Sequence, residues 1–220
     1  DTITGAGGAD VIDGGAGNDI FTYSTTAQLV ASNALVDSLT GGAGTDTIQL
    51  TAATDTTLTL ASTDLIEARM ATMESITAGV SAGVLSITAS AALFSDGVVT
   101  IDLSGDTSAT GANIIDVSND DGDEAWTLIG SAGVDTITGD GGDDTINVAL
   151  TQDGNSDVID GGAGTDTLNL TGISHTFASN SNLANIEVIT LATAGTTLTI
   201  SAQTEAFTIT TANGANTVVG

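Results

Sequence analysis

Aliphatic side chains alternate with hydroxyl or acidic ones in short runs along the chain: Leu58-Thr59-Leu60, Val84-Leu85-Ser86-Ile87, Val99-Thr100-Ile101-Asp102-Leu103, Ile115-Asp116-Val117 and Leu198-Thr199-Ile200. A period of two puts every second side chain on one face, so each run predicts a short strand with one apolar side. Ile87, Ile101, Ile115 and Leu128 recur every 13 or 14 residues, which reads as the length of one coil in a stacked solenoid. At two places the pattern changes to that of a capping box. Thr25-Thr26-Ala27-Gln28 precedes Leu29 and Leu35, and Asp64-Leu65-Ile66-Glu67 precedes Ala68 to Met73, so a short helix is predicted at each.

Other strands start directly behind a nine-residue unit, Gly-Gly-x-Gly-x-Asp-x-aliphatic-x. Residues 14–22, 41–49 and 161–169 are complete copies, 130–138 and 139–147 are near-complete, and 5–13 is looser. The glycines permit backbone conformations that a Cβ blocks, so the chain reverses sharply and exposes its carbonyls. The Asp sets a carboxylate beside those carbonyls. Such a loop of oxygens at a strand edge suits a hard cation, Ca²⁺ first of all.

In these copies the chain resembles the RTX (repeats-in-toxin) family, whose nonapeptides pair into the coils of a parallel β-roll. The resemblance implies an all-β fold: a right-handed parallel β-roll or β-solenoid with calcium-binding turns, here with one or two short helical insertions. It also implies several calcium ions between successive loops, with backbone oxygen from Gly14, Gly41, Gly139 and Gly161.

Charge makes the cation matter for folding. Arg69 is the only basic residue against 28 acidic ones, a net charge of -27. That excludes nucleic acid as a partner and opposes contact with anionic lipid. No apolar run is long enough for membrane insertion. Hydrophobic residues still make up 40% of the chain, so a core is available. Two carboxylates about 4 Å apart repel by roughly 4 kcal/mol at an effective dielectric near 20. A divalent cation between them reverses the sign, so the chain is expected to fold poorly without metal and well with it. There is no Cys, so no disulfide or thiolate site contributes.

A longer period lies above the nonapeptide. Residues 126–137 match 207–218 at an offset of 81, and Met73-Glu74-Ser75-Ile76 matches Ile186-Glu187-Val188-Ile189 at an offset of 113. The chain therefore divides into module one (1–125), module two (126–206) and the start of a third (207–220), and reads as a segment of a longer protein. With two nonapeptides to a coil, every second Asp shares an edge. The expected calcium pairs are Asp144 with Asp166, Asp135 with Asp157, Asp19 with Asp46, Asp10 with Asp37, and Asp1 with Asp19. Asp13, Asp140, Asp143 and Asp160 flank the loops and read as outer ligands or as solubilising charge, with the second reading favoured. Asn216 replaces the Asp in the third opening. Residues 116–124 fail as an EF-hand, with the Gly misplaced and no Glu at the twelfth position, and leave only an irregular site open.

Catalysis is not expected. His175 is the only histidine, Lys and Cys are missing, and the acids fall at structural intervals. RTX units alternating with long Thr/Ser/Ala strand sections look like the lattice-forming part of type I-secreted bacterial S-layer proteins. That resemblance implies an extracellular, cell-surface structural protein whose partners are copies of itself, with calcium and with an anchor elsewhere. The alternatives are the calcium-stiffened repeat region of a large RTX adhesin, or the non-catalytic roll of a secreted RTX enzyme. An ice-binding solenoid is disfavoured because, although Thr is abundant, no regular Thr-x-Thr rank recurs on one face of successive coils.

Overall fold

The alternating runs stack as parallel strands because each offers a β-branched apolar row inward and a hydroxyl row outward. The computed structural model describes residues 1–31, 34–51, 56–60, 70–79, 84–90, 98–107, 112–119, 124–149, 157–201, 203–212 and 214–220. One side is a ten-stranded sheet of Thr2–Thr4, Ile20–Tyr23, Thr47–Leu50, Ser75–Ala78, Thr100–Asp102, Thr127–Ile129, Thr145–Val148, Thr167–Leu170, Val188–Leu191 and Thr208–Thr211, in that order. The remaining strands form shorter sheets. A six-stranded one runs from Thr56–Leu60 through Leu85–Ser90, Ala112–Asn119, Val134–Thr138 and Val158–Asp160 to Leu183–Ala184. Two three-stranded ones hold Val11–Ala16, Ser38–Ala43 and Met70–Ala71, and Ser174–Phe177, Thr197–Ile200 and Thr217–Val219. Every described pairing is parallel except the short antiparallel pair Val30–Ala31 with Ala34–Leu35. The fold is the all-β parallel solenoid that the repeats predict.

The core is a set of vertical columns. Phe21, Ile48, Ile76, Ile101, Leu128, Ile146, Leu168 and Ile189 stack in register through the large sheet, and Leu58, Ile87, Ile115, Ile137, Ile159 and Leu183 through the six-stranded one. All are buried, and each contributes about 1.5–3 kcal/mol by leaving water. His175 belongs to this core: it lies in Ser174–Phe177, stacks on Leu198, and burial pushes its pKa down.

One expectation changes. Ile87 stacks on Ile115, and Ile101 on Leu128, so the 13- or 14-residue step is half a coil that crosses between sheets. The outward face carries one Thr/Ser row but no regular Thr-x-Thr rank, since the row two residues on includes Gln49, Asp102, Ile129, Asn147 and Asn169. Thr2, Thr47, Ser75, Thr100, Thr127, Thr145, Thr167 and Thr208 share one outward row, interrupted by Ile20 and Val188. It is hidden in the sequence because loop length varies from coil to coil, while register on the sheet does not.

The first predicted helix is a single turn, Thr26–Leu29. Gln28 Oε1 accepts the Thr25 N–H at 3.2 Å, the back half of the predicted capping box. The second predicted helix falls mainly on residues outside those described, and its end, Met70–Ala71, is a strand paired with Ser38–Ala43.

Candidate metal centre

The residue just before each strand of the large sheet forms a column down one edge: Asp1, Asp19, Asp46, Glu74, Val99, Trp126, Asp144, Asp166, Glu187 and Phe207. Each acidic member reaches back one coil to a backbone N–H. Asp46 Oδ1 accepts from Asp19 (2.8 Å), Glu74 Oε2 from Asp46 (2.6 Å), Asp144 Oδ1 from Trp126 (2.8 Å), Asp166 Oδ1 from Asp144 (2.8 Å) and Glu187 Oε2 from Asp166 (2.7 Å). Asp19 Oδ1 takes the Asp1 amino group at 2.5 Å. On the opposite edge, Asp37 Oδ1 accepts from Asp10 (2.9 Å) and Asp157 Oδ1 from Asp135 (3.0 Å). The structure thus places all five predicted Asp pairs on adjacent coils.

One oxygen suffices for this backbone contact, as the neutral copies show. Asn216 Oδ1 accepts the Thr196 N–H at 2.9 Å, and Asn113 Oδ1 the Leu85 N–H at 2.7 Å. Their second polar atom is a donor: Asn216 Nδ2 bonds the Ala212 carbonyl (3.1 Å) and Asn113 Nδ2 bonds Asp106 Oδ2 (2.7 Å). Where the residue is Asp, that second atom is an acceptor. Oδ2 of Asp19, Asp46, Asp157 and Asp166 is buried with no hydrogen-bond partner among the described residues. Leaving a buried charged oxygen without a donor is costly, by more than the ~1–3 kcal/mol of a neutral group.

The glycines show what faces those oxygens. A Cβ on Gly14 would meet Asp19 Oδ2 at 2.6 Å and the Gly41 carbonyl at 2.7 Å. On Gly41 it would strike Asp46 Oδ2 and the Thr72 carbonyl, on Gly139 Asp144 Oδ2 and the Gly161 carbonyl, and on Gly161 Asp166 Oδ2 and the Asn185 carbonyl. At four coil edges a carboxylate oxygen and the next coil's carbonyl converge on a space that only glycine leaves open. That donor set fits a hard cation. Among the described residues no three His, Asp or Glu side chains are grouped to hold a metal, so backbone carbonyls would have to complete each site.

Burial sets the electrostatics. Desolvation pushes Asp144 and Asp157 up to about 7 and Asp135 and Asp166 up to about 6, with neighbouring carboxylates adding to the shift. Three of the predicted Asp have a donor on each carboxylate oxygen: Asp144, which takes the Trp126 N–H on Oδ1 and the Asp140 N–H on Oδ2, Asp37 and Asp135. Asp37 Oδ2 accepts the Tyr23 hydroxyl at 2.8 Å, and burial together with that contact pushes the Tyr23 pKa up. Asp135 takes the Ser131 N–H on Oδ2 and the Ser131 hydroxyl on Oδ1, both at 2.8 Å. Asp1 and Asp10 are exposed at the first coil.

The sequence reasoning missed Glu74 and Glu187, which end the two acidic runs of the column. It also missed Thr72 and Asn185, non-glycine residues at φ 55° and 52° whose carbonyls take the place of a loop glycine. The signal was present in the offset of 113, which relates both pairs. Asp13 and Asp143 are exposed, and Asp160 is half-buried and accepts from Asn185 Nδ2 (2.6 Å), but Asp140 is buried, against its assignment as solubilising charge. Of residues 116–124, 120–123 lie outside the described set; Asp116 Oδ1 accepts the Ser118 N–H and hydroxyl within the strand Ala112–Asn119.

Residues 1–23, 33–57, 127–150 and 151–171 match the family model of the RTX calcium-binding nonapeptide repeat, in four copies. Searches of curated proteins and of solved structures gave no match. The chain is an all-β parallel solenoid, and the four matched stretches support the RTX family, whose repeats bind calcium and are typical of secreted proteins.

Proposed function

We propose that the chain is a calcium-fastened structural segment of an extracellular surface protein that assembles with copies of itself into a layer. The observation that carries the calcium reading is the set of buried Oδ2 atoms facing carbonyls where the Asn copies carry an N–H. Calcium bound there would supply the positive charge that lets these oxygens share a coil edge. The chain's residues do the remaining work. Oδ1 and Oε2 atoms hold coil register, glycines 14, 41, 139 and 161 admit the close approach, and the aliphatic columns join the coils that have no acidic rung. At low calcium the buried carboxylates must take up protons or leave the edge, and the net charge of -27 favours an extended, exportable chain.

The layer role is supported by tandem modules joined without a break in the ten-stranded sheet, which passes straight through residues 126 and 207. Such a rod lengthens by whole modules and keeps one flat hydroxyl-rich face.

The decisive experiment compares Asp166→Asn with Asp160→Asn. Asn at 166 keeps an acceptor for the Asp144 N–H and removes the surplus charge, so calorimetry should find calcium binding weakened there and unchanged in Asp160→Asn. Equal binding in the two variants would refute the site assignment. Electron microscopy of the full-length protein with calcium tests the layer: ordered sheets support it, and isolated rods with a ligand-binding tip favour an adhesin.

A further inference from the structure

The second position of the nonapeptide differs between loops in a way that bears on cation affinity. It is Gly15, Gly42 and Gly162 in the complete copies, with φ of 92°, 110° and 100°, but Ser131 and Asp140 in the two near-complete ones. In both loops the second residue's N–H donates to Oδ2 of the loop's Asp, but the Ser131 side chain adds a second donor, its hydroxyl, to Asp135 Oδ1. The Asp140 side chain adds acceptors and a charge instead. Asp140 is 7% exposed, its N–H donates to Asp144 Oδ2 at 3.2 Å, and its Oδ1 accepts the Gly142 N–H at 3.1 Å. Its Oδ2 is buried with no hydrogen-bond partner.

We propose that Asp140 is an additional cation ligand, and that the edge between the 139–147 and 161–169 loops is therefore the tightest calcium site of the solenoid. The inference rests on the calcium reading above. A turn-forming role needs only Oδ1, which Asn supplies equally well. Burying a second carboxylate beside Asp144 would be opposed by desolvation and repulsion unless a cation offsets both. With Asp140 the site offers two side-chain charges plus the Gly161 carbonyl, and calcium affinity rises with ligand charge. At the loop before it, the Ser131 hydroxyl brings a donor where Asp140 brings a charge.

Trp126 makes the test specific, because it is the only tryptophan and its backbone N–H donates to Asp144 Oδ1 at 2.8 Å, which sets it on the coil next to this edge. Tb³⁺ emission excited through Trp126 and competed with Ca²⁺ reads this edge above the others. Asp140→Asn should weaken both ions about tenfold or more at the Trp-sensitised site. Asp140→Gly, which restores the motif residue, should do the same, and Asp160→Asn should not. Circular dichroism with saturating calcium checks that each variant folds. Equal affinity in wild type and Asp140→Asn overturns the inference and leaves the calcium reading standing. Absence of sensitised emission in wild type, together with no calcium heat by calorimetry, overturns both.

Discussion

Calcium-free protein should gain stability as the pH falls from 7.5 to 5. The folded chain holds Asp144 and Asp157 near 7 and Asp135 and Asp166 near 6, against an ordinary 3.8 in the unfolded chain. The folded state therefore binds protons that the unfolded state has released. The resulting stability is complete below about 3.8 and is lost as pH rises through 6 to 7. One carboxyl contributes up to about 1.4 kcal/mol per pH unit in that window. Asp144 with Asp166, and Asp135 with Asp157, are neighbours that titrate as pairs. Counting one proton per pair gives about 3 kcal/mol per pH unit. Urea unfolding followed by circular dichroism at pH 7.5, 6.5 and 5.5 after metal removal measures the slope; the sequence pI of about 4.1 sets the acid limit. General relief of charge repulsion acts in the same direction, so Asp144→Asn is compared with Asp13→Asn at an exposed position. With calcium the slope should reverse, because protons then compete with the ion. A flat or falling calcium-free midpoint between pH 7 and 5 refutes the argument, as does an unchanged slope in Asp144→Asn.

Gly139→Ala should cost about 1–3 kcal/mol, since its Cβ would collide with the Gly161 carbonyl and Asp144 Oδ2, whereas Gly7→Ala meets nothing within 4 Å and should stay within about 0.5 kcal/mol. Thermal melts of both with calcium decide it, and equal melting points would show that the close approach is not needed. Tyr23→Phe removes the donor to Asp37 Oδ2 and should cost about 1–3 kcal/mol in chelator. Millimolar calcium should recover part of that loss by occupying the vacated side of Asp37. A loss of the same size with and without calcium would show that this edge does not accept the ion.

The strands, the parallel stacking and the pairing of Asp across coils were legible because each rests on a short local pattern. The alternation of Leu168 and Leu170 with polar neighbours fixes a face, and the spacings of 18, 22 and 27 between paired Asp survive changes of loop length. What escaped depends on contacts between residues distant in sequence. Glu187 caps Asp166 from outside any nonapeptide, Tyr23 saturates Asp37 from across the coil, and Asp140 is buried by the loop above it. The half-coil step was misread for a related reason. Ile87, Ile101, Ile115 and Leu128 are evenly spaced, but equal spacing does not tell whether successive residues stack on one sheet or alternate between two.

The acidic column has a gap at Val99 and Trp126, beside which the other edge carries the neutral Asn113. The consequence is one of order in time. A solenoid can begin at any repeat and grow by adding coils to an existing end. The middle coils carry no carboxylate rung on this column and make the least demand for an ion, so they are the coils best able to close without one. Winding that begins there would proceed outward, with each acidic coil closing as its edge finds a cation. A chain emerging into calcium would close from its centre, with the two acidic blocks locking last.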